Sequence, residues 1–125
     1  MLADRAAMAT IAVKDVGAAK TFYGDTLGLK LVNEMDGGVL IYESGNSKLV
    51  VYKSEFAGTN KATTATWGVG DEFGKIVADL KSKAVAFEHY GFPDLERQGD
   101  IHVAGTFKAA WFKDPDGNIL HVNNQ

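Results

Sequence analysis

Polar and apolar residues alternate over short stretches, switch twice to helical spacing, and do so in the same order in each half of the chain. Residues 8–14, Met-Ala-Thr-Ile-Ala-Val-Lys, are rich in β-branched and apolar types and read as a strand ending at Asp15. Asp15 then suits a helix N-cap, because Val16, Ala19, Phe22, Tyr23 and Leu27 recur on one helical face up to Gly28. Strands follow over Leu29–Met35, Val39–Ser44 and Lys48–Lys53. Asp36-Gly37-Gly38 and Gly45-Asn46, which separate them, are hairpin chemistry. The first half is therefore β-α-β-β-β.

Ser54–Thr63 has no apolar period and contains Gly58 and Asn60, so it reads as a linker or mobile loop. The pattern then restarts. Thr64–Val69 reads as a strand and Asp71 as a cap. Phe73, Ile76, Val77 and Leu80 share one face of a helix ending near Ala84. Val85–Tyr90 reads as a strand, Gly91–Gly105 as a long loop over a site, and Thr106–Phe112 and Asn118–Asn123 as the last two strands. Val16, Ala19 and Tyr23 are answered by Phe73, Ile76 and Leu80, so two similar units, 8–53 and 64–125, form one domain over 1–125. Each unit exposes an apolar face that must close within the chain or against a second chain.

The last two strands are joined by Asp114-Pro115-Asp116-Gly117. Pro115 presets φ at the turn's second position, Asp114 accepts hydrogen bonds from the turn's own N–H groups, and Gly117 takes the left-handed conformation. Alternation after it puts Ile119, His121 and Asn123 on one face, Leu120 and Val122 on the other.

Composition narrows the chemistry. A chain of 125 residues, 46% hydrophobic and 23% charged, is long enough for a core, and a net charge of −3 leaves no electrostatic footprint for a nucleic acid. Cysteine is absent, which excludes disulfides, thiolate metal sites and cysteine nucleophiles. No apolar run approaches a membrane span, so no membrane partner and a cytoplasmic location are expected. Gly68-Val69-Gly70 lacks the third glycine and the lysine of a phosphate cradle, and no elbow motif presents a serine for attack.

The paired β-α-β-β-β units, the segment Ala18-Ala19-Lys20-Thr21-Phe22-Tyr23-Gly24-Asp25-Thr26-Leu27-Gly28-Leu29-Lys30, and the ending Asp114-Pro115-Asp116-Gly117-Asn118-Ile119-Leu120-His121 resemble the vicinal oxygen chelate superfamily. That superfamily includes glyoxalase I, bleomycin-resistance proteins and extradiol dioxygenases. The resemblance implies an α+β fold in which two βαβββ modules form a cup-shaped mixed sheet, and on that ground alone a homodimer. It also implies metal ligands on the first and last strands of each module. Those positions fall on Met8, Tyr52, Thr64 and His121, and only His121 keeps a good ligand type. Thioether and hydroxyl groups replace imidazole and carboxylate poorly toward divalent ions, and a catalytic centre wants about three protein ligands. No metal or other cofactor is therefore expected, the open alternative being a non-standard site that recruits His102, His89 or Glu43.

Alternation places Met8, Thr10, Tyr52, Thr64, Thr66, His121 and Asn123 in the cup, a lining suited to a small organic ligand. His121 is read either as a ligand contact or general acid/base, or as a hydrogen-bonded histidine in an inherited cup. Trp111 is read as core or interface, with stacking on a planar or cationic ligand as the functional alternative. Tyr90, Phe92 and His102 either close over a ligand or pin the long loop. The leading expectation is a metal-free small-molecule-binding protein, with bleomycin-resistance-like sequestration as one form. The alternatives are a glyoxalase-like lyase or isomerase, or a non-standard metalloenzyme, using His121, and an interaction module that lost its site.

Overall fold

The computed structural model describes residues 1–125. Its first module contains β1 (Ala9–Val13), α1 (Val16–Lys20), a π-helical turn (Thr21–Thr26), β2 (Lys30–Met35), β3 (Val39–Ser44) and β4 (Ser47–Lys53). These strands form a sheet in the order β1-β4-β3-β2, with β1 parallel to β4 and the other pairs antiparallel. As expected, Asp15 caps α1, its Oδ1 accepting from the Ala18 N–H at 3.0 Å. The single helix expected up to Gly28 is instead divided, because the backbone widens into the π turn after Lys20. Consecutive residues Phe22 and Tyr23 are both buried there.

The second module contains β5 (Thr63–Gly68), a 3₁₀ turn (Gly70–Glu72), α2 (Phe73–Ser82), β6 (Phe87–Glu88), β7 (Glu96–Gln98), β8 (Ile101–Ala104), β9 (Phe107–Lys113) and β10 (Ile119–Asn123). Its sheet runs β5-β10-β9-β8-β7, and β6 pairs with β9 at the same edge as β8. Three expectations are corrected. Asp71 lies in the 3₁₀ turn, and α2 starts without a side-chain cap. The strand expected over Val85–Tyr90 shrinks to two residues. The long loop expected over Gly91–Gly105 holds the β7–β8 hairpin. Glu96, Arg97 and Gln98 are all exposed, so the first strand of that hairpin buries no face and shows no alternation.

One core of 18 buried residues runs through both modules and holds the helix-bearing sides of both sheets. Ile11, Val13 and Val51 from the first sheet and Ala65, Leu120 and Val122 from the second belong to it, Leu120 and Val122 on the side that alternation assigned to them. The remaining two faces point away from this core. The expected cup is therefore not closed, and the chain presents two separate sheets.

The Asp114–Gly117 turn fastens the modules together. Asp114 accepts from the Tyr23 hydroxyl of the π turn at 2.7 Å, and Asn118 Nδ2 donates to the Ala12 carbonyl of β1 at 2.7 Å. The segment 54–63 is tied down as well: Ala57 is buried, and Gly58 sits against the Asp116 carbonyl. No helix is long and apolar enough to cross a membrane.

Candidate functional site

On β10, Leu120 and Val122 enter the core, so His121 and Asn123 stand on the outer face. The register sets His121 opposite Trp111 of β9 and beside Thr66 of β5, and it sets His102 of β8 opposite Ala109 of β9. Trp111, His121, Thr66, Asn123 and His102 are thus brought together on one face of the second sheet. Thr64 adjoins them where the β5–β10 register shifts, between the pairs Ile119–Thr63 and Leu120–Ala65.

Met8, Thr10 and Tyr52 lie elsewhere. Thr10 pairs with Val50, and Tyr52 with Ala12, on the outer face of the first sheet, while Met8 precedes β1. The expectation of one pocket lined by all these residues is corrected, because the two outer faces belong to sheets that do not close on each other.

Hydrogen bonding fixes the protonation of His121. Its Nδ1 lies 3.1 Å from the Ala110 carbonyl oxygen, which can only accept, so the ring proton is on Nδ1. Nε2 then accepts from Asn123 Nδ2 at 3.1 Å, while Asn123 Oδ1 accepts from the Gln125 N–H at 3.1 Å and sets the amide's orientation. Both imidazole nitrogens are occupied. The ring also stacks on Trp111 with centroids 4.3 Å apart and planes 23° apart. Burial pushes the His121 pKa below its ordinary value; the hydrogen bond to Ala110 opposes this, and nearby His102 adds to it. The ring is therefore held neutral.

His102 is corrected from a loop position to a strand position and is 0% exposed. Its Nε2 lies 3.0 Å from the Tyr90 nitrogen and 3.2 Å from the Tyr90 carbonyl oxygen, so that edge of the ring is anchored to the Tyr90 backbone. The ring's Nδ1 and the Tyr90 hydroxyl are buried without a hydrogen-bond partner. The rings of Tyr90, Phe92 and His102 gather on Trp111, at 5.8, 5.1 and 4.9 Å. The pinning role weighed for Tyr90 and Phe92 is thus realised in this conformation.

No local pattern points to Thr63, whose Oγ1 accepts from Trp111 Nε1 at 3.2 Å, because the two residues meet only through sheet pairing. The hairpin tip carries a further polar cluster, in which Asp100 bridges Lys81 and His89 at 2.7 Å each. No group of three or more His, Asp or Glu side chains converges as a metal site would require. Of the four positions where the resemblance implies metal ligands, Met8, just before β1, and Tyr52 belong to the first module, and Thr64 and His121 lie on the second sheet.

This βαβββ pair with its terminal Asp-Pro-Asp-Gly turn defines a class of protein. The family model for the Glyoxalase/Bleomycin resistance protein/Dioxygenase superfamily matches residues 5–122, and the chain belongs to that superfamily. A glyoxalase family protein from Enterococcus faecalis is similar in structure, with a TM-score of 0.72 and 19% identity over 98% of this chain and 99% of that one. Lactoylglutathione lyase from Agrobacterium tumefaciens gives a TM-score of 0.69 and 18% identity over 95% and 92%. The fosfomycin resistance protein FosX from Mesorhizobium loti gives 0.70 and 9% over 98% and 92%. At these identities the likeness is one of fold. A comparison with curated protein sequences gives no match.

Proposed function

We propose that this protein binds a small organic molecule on the outer face of its second sheet, without a metal ion, and acts by sequestration as bleomycin-resistance proteins do. The observation that carries this reading is His121. Both its nitrogens are engaged, by Ala110 and Asn123, and its ring is stacked on Trp111, so it serves as a wall with a fixed polar edge. Such a wall needs no metal to recognise a planar molecule.

Metal content and binding are separable tests. Protein purified without chelator is expected to hold no stoichiometric Ni, Zn, Fe or Mn, and a bound metal lost on His121→Ala overturns the metal-free reading. In thermal shifts against cationic antibiotics and aromatic metabolites, at least one compound is expected to raise the melting temperature, and Trp111→Ala to abolish the shift. If no compound binds, the fold serves as an interaction module instead.

A second reading draws on the neutral state of His121: an imidazole that stays unprotonated near neutrality can act as a general base once the Asn123 amide moves aside. Unaltered turnover in His121→Ala, with any substrate found, removes that role.

The first sheet supports a homodimer. Met8, Met35 and Tyr52 are 48%, 47% and 37% exposed on or beside its outer face, and a second copy would cover them. Sedimentation should then give twice the chain mass, and Met35→Lys should shift it toward monomer.

A further inference from the structure

We propose that the ring of Phe92 occupies the seat of the ligand: a planar ring bearing a hydrogen-bond acceptor binds on Trp111 by displacing Phe92 and the Gly91–Leu95 loop. This rests on the reading of the second sheet's outer face as a small-molecule site, and it names the ligand's chemistry.

The strand beside β9 is interrupted here. It leaves β9 at Glu88, opposite Trp111, and rejoins at His102, opposite Ala109. The chain between them departs from the sheet and returns Phe92 to it. Phe92 lies 5.1 Å from Trp111, 5.7 Å from Tyr90 and 6.0 Å from His102, ring to ring. Yet Phe92 is 41% exposed, so its ring covers the aromatic group from the solvent side.

Apart from Leu95, which packs against the Ala109, Trp111 and Ile119 cluster, little else holds this loop. Gly91–Leu95 makes one backbone hydrogen bond of its own, Leu95 N–H to the Phe92 carbonyl at 3.3 Å, and no side-chain hydrogen bond or ion pair. Its flanks are firm, however. Tyr90 N–H is bound to His102, and beyond β7 the hairpin tip is clamped through Asp100 to Lys81 and His89. A weakly held loop between fixed ends can withdraw a single ring without unfolding the hairpin.

The covered group is incompletely satisfied. The Tyr90 hydroxyl, a donor, lacks an acceptor, and Nδ1 of His102 beside it has no partner; each such buried group carries an appreciable cost. A ligand that replaces the Phe92 ring and also brings a carboxylate or carbonyl oxygen would restore what Phe92 cannot supply. The seat therefore favours a planar ring with an acceptor over a planar ring with a donor, and over a non-planar acid.

The probe is 2-naphthoate, compared with cyclohexanecarboxylate and 2-naphthylmethylammonium, in a Trp67→Phe background where Trp111 is the remaining tryptophan. Naphthoate is expected to quench Trp111 fluorescence and to bind at least about tenfold tighter than either control, the factor that 1.4 kcal/mol represents. Phe92→Ala removes the competing ring. It should tighten naphthoate binding by about tenfold if the open seat is populated to about a tenth in the parent protein, and it should raise acrylamide quenching of Trp111. Phe92→Leu, which keeps an apolar anchor, is expected to fall between the two and replaces the alanine variant should that one melt early. The proposal fails if the variants bind naphthoate no more tightly than the parent does, or if the ammonium or the non-planar acid binds as well. The broader small-molecule reading survives that outcome on any compound that binds the parent protein at Trp111, and falls only if nothing in the wider panel binds parent or variant.

Discussion

Asp114 is a buried carboxylate that collects four donors: the Tyr23 hydroxyl at 2.7 Å, Asn118 Nδ2 at 2.8 Å, and the N–H groups of Asp116 and Asn118 at 2.9 Å each. A buried charge is tolerated only where its lone pairs are met in this way. Burial, and then the Asp114 charge, push the Tyr23 hydroxyl far above its ordinary pKa, so it remains a donor at every accessible pH. Tyr23→Phe leaves the other three donors in place and should cost about 1.5–3 kcal/mol, the range for a hydrogen bond to a charged group, measured by urea unfolding. At His121 the same accounting gives a pH effect. Its folded pKa lies below the ordinary 6.5, first because of burial, so the unfolded chain binds the proton more readily. The stability His121 contributes is present above the unfolded pKa and is lost as pH falls through that value toward the folded one. Melting temperatures followed downward from pH 7 should drop in that window, and the drop should be smaller in His121→Gln. An equal slope in both proteins would show that other groups titrate there.

At the level of elements, the strands that bury one face were legible in the sequence and those that bury none were not. Ile11 and Val13, or Leu120 and Val122, announce a strand because solvent is on one side only. Glu96–Gln98 gives no such signal, so the sequence pattern leaves His102 in a loop although it is buried in β8. The candidate site was half legible. Alternation from the terminal turn put His121 and Asn123 on one face, but their separation from Met8, Thr10 and Tyr52 depends on how two sheets pack, which no local pattern encodes. The segment 54–63 is the linker its turn residues suggest, but its seating on the terminal turn is not legible locally. Those residues suggest freedom, yet Gly58 has φ +73° and a Cβ there would lie 2.0 Å from the Asp116 carbonyl oxygen. Gly117 is also left-handed, at φ +90°, but nothing lies within 4 Å of its would-be Cβ. Gly117→Ala should therefore cost only the left-handed penalty of about 1–2 kcal/mol. Gly58→Ala must in addition push the linker off the turn and should cost clearly more. Comparable losses in urea midpoint for the two variants would mean that the linker is not seated on the turn.

For the molecule as a whole, the repeated pattern invites the view of two modules that fold separately, but the distribution of apolar contacts opposes it. The core takes Tyr23 and Tyr42 from the first module and Phe112 and Leu120 from the second, and the rings of Phe22 and Phe112 approach to 6.5 Å across the junction. Trp67 Nε1 donates to Ser44 Oγ at 2.9 Å, and Asn118 holds the Ala12 carbonyl, so polar contacts cross the same boundary. Either half alone would expose the apolar side on which the other packs, and a unit of this size has little core to spare. The chain should therefore unfold as one cooperative unit. Far-UV circular dichroism reports both modules, whereas tryptophan fluorescence reports the second, which carries both Trp67 and Trp111, and its junction with Ser44. In urea the two signals are expected to give one coincident transition, with a midpoint that rises with protein concentration if the first sheet is covered by a second copy. Fragments 1–53 and 64–125 should each lack a cooperative transition alone. Two separated transitions in the intact chain, or a fragment that melts cooperatively, would mean that the modules are stable before they meet and that the shared core only docks them.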